Sequence, residues 1–115
     1  MEENNNTPAT PAIPAEYYLG SDFKALVQMT APGFDMDLDD WSVSVMIDDR
    51  KTHTYKKADC VRANDGKYYV PVSRDYLKKT GTLKLVANAE IPDEDFPDGI
   101  RHESVPVTIG KYKKL

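Results

Sequence analysis

Apolar and polar residues take turns along much of this chain, and a repeat of two belongs to strands because successive side chains of an extended backbone leave on opposite faces. From Asp22, the residues Phe23, Ala25, Val27 and Met29 share one face, with Lys24, Gln28 and Thr30 on the other. Pro32-Gly33 breaks that run, and after an acidic loop Trp41, Val43, Val45 and Ile47 alternate with Ser42 and Ser44. Trp41 is the expected anchor of the core. Thr82 to Ile91 repeats the pattern, with Leu83, Leu85, Ala87, Ala89 and Ile91 inward and Lys84, Asn88 and Glu90 outward. A last run, Ile100 to Ile109, places Val105, Val107 and Ile109 on one face. Pro106 has no N–H to give to a ladder, so that strand is expected at an edge or with a bulge there.

The joints between these runs are also legible. Asp48-Asp49-Arg50 turns the chain into a weaker strand around Thr52 to Tyr55. Asp65-Gly66 stands between two short strand-like segments, a strong hairpin signal because Gly takes the positive φ of a type I′ turn. A two-residue loop pairs Ala63 with Tyr68 and Val61 with Val70, which puts those four on the inner face and Arg62 with Tyr69 on the outer one. Ser73 to Lys79 reads as a short helical turn, with Ser73 as N-cap and Gly81 just after the stop. About seven strands with closely spaced turns predict an all-β, immunoglobulin-like, two-sheet antiparallel β-sandwich with one short helical turn.

With 115 residues, the chain has room for one core. The expected layout is a flexible Pro/Asn-rich arm over 1–16, the sandwich over 17–110 and a basic tail over 111–115. Cys60 is the sole cysteine, so no intramolecular disulfide supports the fold. It reads as a small apolar filler. A net charge of −4 speaks against nucleic acid as partner, since phosphate binding draws on clustered Lys and Arg, and here Lys111, Lys113 and Lys114 form the one basic run. Apolar runs are far shorter than the roughly 20 residues of a membrane helix, and the first ten residues lack the charged and apolar regions of a secretory signal. No membrane partner is expected.

Chemistry-bearing clusters are sparse. Asp35, Asp37 and Asp39 space carboxylates as a calcium loop does, yet the sixth and twelfth places of such a loop, which need Gly and Glu, hold Asp40 and Met46. These three are at most weak metal candidates, and Leu38 and Trp41 read as apolar pins of a solvated loop. Asp93, Glu94, Asp95 and Asp98 form a second acidic loop able to approach the first if both lie at one end of the sandwich. His53 and His102 have no metal-ligand spacing. With no nucleophile elbow, phosphate loop or paired acid and base, the expectation is a non-enzyme without cofactor. Tyr17, Tyr18, Phe34, Tyr69 and Phe96 are the candidate partner contacts, with Tyr112 a further aromatic candidate for exposure.

One order of features stands out. Gly20-Ser21-Asp22-Phe23 opens an alternating strand; a loop ends in Asp37-Leu38-Asp39-Asp40; Trp41 to Val45 follows; then come the Asp65-Gly66 hairpin, the Ser73 to Leu77 turn, Gly81-Thr82-Leu83 and Pro97-Asp98-Gly99. This order, over roughly residues 17 to 110, resembles the N-terminal immunoglobulin-like domain of phage baseplate upper proteins and related prophage tail modules. The resemblance implies a virion structural role, docking on the tail apparatus. It implies protein partners among tail or baseplate subunits, a homo-oligomer among the possibilities, and residence in the virion or, before assembly, in the bacterial cytoplasm. In that family a further part carries receptor-binding protein. This sequence stops just after the matching stretch, which points to a small standalone tail or baseplate component. The alternative expectation is a carbohydrate- or ligand-binding β-sandwich of a bacterial surface system.

Overall fold

A computed structural model describes residues 16–114, and within them eight strands form two sheets. The strands are β1 (Glu16–Tyr18), β2 (Phe23–Val27), β3 (Ser42–Ile47), β4 (Arg50–Lys56), β5 (Val61–Asn64), β6 (Lys67–Val72), β7 (Gly81–Pro92) and β8 (Ile100–Lys113). One sheet has the order β1-β8-β7-β3-β4 and the other β2-β6-β5. They pack as a sandwich, because each carries one apolar face that only the other sheet can cover. Val43, Val45, Leu83, Leu85 and Ala87 from the larger sheet are fully buried, as are Ala25 and Val70 from the smaller. Trp41, Met29, Met36 and Leu77 belong to the same cluster.

The alternating runs fold as their period requires, and the structure departs from the sequence reading where pairing intervenes. At the Asp65-Gly66 turn Asn64 pairs with Lys67, but a bulge at Ala63 then sets Arg62 opposite Tyr68 and Val61 opposite Tyr69. The extra residue shifts the register by one, so Val61 is exposed rather than inward, and Arg62 comes to the side of Tyr68. A second bulge on β8 pairs Leu85 with Thr108 and Val86 with Pro106, leaving Val107 as the surplus residue. Pro106 therefore sits at a bulge, as its missing donor demands. The same bulge separates Val105, opposite the buried Ala87, from Ile109, which stands 62% exposed opposite Lys84. Val105 and Val107 both pack against the core, so of the expected common face only Ile109 is turned away.

The ends of the domain also differ from expectation. β8 continues to Lys113, so Lys111 to Lys113, read as part of a basic tail, form its last rungs, and Tyr112 is buried among the core side chains. There β1 pairs with it in parallel, Glu16 opposite Lys111 and Tyr18 opposite Lys113, which adds the eighth strand and the one parallel pair described. Of the expected N-terminal arm, residues 1–15 lie outside the described residues. The helical turn is a single 3₁₀ turn, Arg74–Tyr76, with Ser73 Oγ accepting from the Asp75 amide at 3.1 Å.

Asp48 and Asp49 make the β3–β4 turn with φ of 49° and 64°, the left-handed pair that a type I′ turn uses and that Asp tolerates better than most residues. The Asp48 carboxylate accepts from the Thr82 amide at 2.9 Å and lies against Gly81, where φ is 153° and a Cβ would collide with it.

Candidate functional site

The acidic loop between β2 and β3 is built around its own carboxylates. Asp35 Oδ1 accepts from the amides of Asp37 and Leu38 at 2.8 and 3.3 Å, and Asp39 Oδ2 accepts from the Asp35 amide at 2.8 Å. Asp37 faces the smaller sheet: it accepts from Arg62 Nε at 2.8 Å and Nη2 at 3.1 Å, from the Tyr68 hydroxyl at 2.9 Å and from the Gly66 amide at 3.2 Å. Lys57 Nζ donates to the carbonyls of Asp37 and Asp39 at 2.8 and 3.0 Å. The three weak metal candidates thus point to separate partners. Among the described residues no group of three or more His, Cys, Asp or Glu gathers as a metal would need.

The Arg62 guanidinium, and after it the Tyr68 hydroxyl, holds the Asp37 carboxyl well below the usual carboxylate range, because both stabilise its charged form. Trp41 closes the loop from beneath, its Nε1 donating to the Met36 carbonyl at 2.9 Å and its ring meeting Tyr68 edge-on at 4.9 Å. Trp41 is therefore the pin that the sequence suggested. Leu38 is not, since it stands 83% exposed at the loop's outer corner.

The second acidic loop, between β7 and β8, is anchored by Arg101. Its Nη1 donates to Asp93 Oδ2 at 2.8 Å and its Nη2 to the Pro32 carbonyl, while Nε lies 3.0 Å from Glu103 Oε2 without hydrogen-bond alignment. The Pro32 contact brings the two acidic loops to one end of the sandwich with a guanidinium between them. Asp98 accepts from the Ile100 amide at 3.0 Å and lies 3.4 Å from His102 Nε2; these, the amide first, lower its carboxyl. Glu94, Asp95 and Phe96 occupy the exposed tip.

At the opposite end of β7 the crossover from β6 packs against edge strand β4 through stacked rings. Tyr76 lies on His53 at 3.6 Å with planes 6° apart, His53 meets Tyr55 edge-on at 4.7 Å, and the Tyr55 hydroxyl accepts from the Ser73 amide at 2.9 Å. Burial raises the Tyr55 phenol. Between crossover and edge opens a groove of about 740 Å³ whose walls include Ile47, Arg50, Thr52, Tyr76, Lys78 and Lys79.

The aromatic contact candidates scatter. Tyr17 is buried and stacks on Phe23 at 4.0 Å, and Phe34 packs against the core, so neither offers a free face as the sequence suggested. Tyr112 is buried too, its hydroxyl accepting from the Gly20 amide at 3.3 Å. Tyr69 is half-buried, with the Lys24 ammonium 5.9 Å from its ring centre. Tyr18 and Phe96 are exposed. Exposed Val61, Tyr76 and Ile109 were not candidates: bulges turned two of them outward, and a crossover carries the third. Cys60 is half-buried and its thiol is pushed up to about 11 by burial and, less, by Asp59.

A long strand edge completes the surface. β1 covers only Lys111 to Lys113, so among the described residues the outer edge of β8 from Ile100 to Gly110 has no strand beside it. Compared with family models, curated proteins and solved structures, the chain matches none.

Proposed function

We propose that this chain is a non-enzymatic structural module that works through protein–protein contacts, as a phage or prophage tail- or baseplate-associated protein of immunoglobulin-like design. The observation that carries this reading is the β8 edge. An edge of this length presents a row of backbone donors and acceptors, and proteins either blunt such rows or use them to add a partner's strand. Here Pro106 and its bulge interrupt the row, while the exposed Ile109 leaves its far part open to a neighbour. The loop carboxylates support the same view, because Asp35, Asp37 and Asp93 serve loop geometry. The order of the sequence features from Gly20 to Gly99 supports the link to tails.

Mass spectrometry of purified tail particles released after prophage induction tests the reading. Several copies of the chain per particle are expected, and particles without it would overturn the assignment. The carbohydrate-binding alternative is favoured by one feature, the partly exposed Tyr76 ring in a groove that also holds charged side chains. Glycan-array binding that Tyr76→Ala abolishes would put that alternative first.

A further inference from the structure

We propose that copies of this chain associate head to tail, the acidic β7–β8 loop tip of one copy seating in the groove between β4 and the Arg74–Tyr76 crossover of the next. The inference deepens the assembly reading and rests on it.

The two surfaces are complementary in charge, and an exposed loop tip faces an open groove. The groove walls carry Arg50, Lys78 and Lys79 against two acids, Asp48 and Asp75, and the Asp48 carboxylate is engaged by the Thr82 amide. Among the described residues none of those three cations takes part in an ion pair. The loop tip presents Glu94 and Asp95, likewise in no ion pair there, with Phe96 43% exposed beside them. An aromatic ring flanked by acids suits a groove lined by Tyr76 and Ile47 together with Arg50, Lys78 and Lys79, the pairing of an apolar anchor with a charged surround. Rigidity favours the match as well. Arg101 pins the base of the loop through Asp93, and the stacked Tyr76 and His53 pin the groove wall, so neither partner loses much freedom on docking.

Geometry forces the contact to be between molecules. The groove adjoins Gly81 through Asp48, and the loop begins after Pro92, so the two lie at opposite ends of β7. Twelve residues of strand at about 3.3 Å each hold them roughly 40 Å apart. A contact between different patches is heterologous, and such contacts close into rings or run on as filaments rather than stopping at a two-fold dimer.

Light scattering after size exclusion tests this over a concentration series. In low salt the wild type is expected to rise above its 12.9 kDa monomer mass as concentration increases. The excess is expected to vanish in about 1 M NaCl, where charges are screened beyond about 3 Å. Glu94→Lys with Asp95→Lys, and separately Lys78→Glu with Lys79→Glu, should each give monomers with unchanged circular dichroism. An equimolar mixture of the two double variants should associate again, since each then offers the other a matching surface. Phe96→Ala should weaken association at least tenfold. Wild type that stays monomeric at every concentration in low salt, or reversal variants that associate as before, would overturn the contact. A monomeric wild type that is nevertheless present in tail particles overturns this inference alone and leaves the assembly reading standing.

Discussion

Replacing Trp41 by Phe separates the indole's hydrogen bond from its bulk. Trp41 is 4% exposed, and Nε1 supplies the Met36 carbonyl with a 2.9 Å hydrogen bond in a buried setting. Phe keeps an aromatic edge for Tyr68 but has no donor, and a buried acceptor left without its partner costs about 1–3 kcal/mol. The missing half of the indole leaves a small void over Met36, worth about another 1 kcal/mol. The expected loss is therefore about 2–4 kcal/mol, a large part of the roughly 5–15 kcal/mol that holds such a domain together. In melting temperature this is a fall on the order of 10–20 °C. Urea unfolding followed by far-UV circular dichroism measures it, because Trp41 is the only tryptophan and the variant has no indole fluorescence to follow. The midpoint should fall with an unchanged slope, the sign of lost stability rather than a changed unfolded state. The loss should also be non-additive with Asp37→Asn, since both side chains hold the 35–40 loop. A loss below about 0.5 kcal/mol would refute the claim that this hydrogen bond clamps the loop.

Three further outcomes are expected. Because its native-state carboxyl is lowered, Asp37 adds stability above the ordinary carboxylate range near pH 4 and loses that contribution as pH falls toward its native value. Melting curves of wild type and Asp37→Asn should thus lie apart at pH 7 and converge below about pH 4; a constant gap would remove the Arg62–Asp37 pairing as the cause. Gly81→Ala should destabilise by about 1–3 kcal/mol in thermal melts, from the left-handed φ and the collision with Asp48. Adding Asp48→Gly should recover part of that loss, and a fully additive pair would show that the clash is not the source. The Cys60 thiol, pushed up to about 11, should react with a thiol reagent at neutral pH much more slowly in the folded protein than in urea, and equal rates would contradict its burial.

Strand formation, the place of most strands and the centre of the core were legible in the order of the residues. That information is local: Trp41, Val43, Val45, Leu83 and Leu85 bury together because alternation commits one face of each run to the interior, whatever its neighbours are. Turn chemistry at Asp48-Asp49, Asp65-Gly66 and Ser73 is local in the same sense. Which faces survive at the pairings depends on how the strands meet in the assembled sheets. A bulge at Ala63 swung Val61 outward and carried Arg62 to Asp37, and one at Val107 parted Val105 from Ile109. Neither bulge has a sequence mark strong enough to set its register, because the extra residue is chosen by the partner strand and by what the displaced side chain can reach. The same holds for Tyr17 and Tyr112, whose burial follows from a parallel pairing between chain segments more than ninety residues apart. The groove of Arg50, Tyr76 and Lys78 belongs with them, since its walls come from an edge strand and a crossover that meet only when the two sheets close.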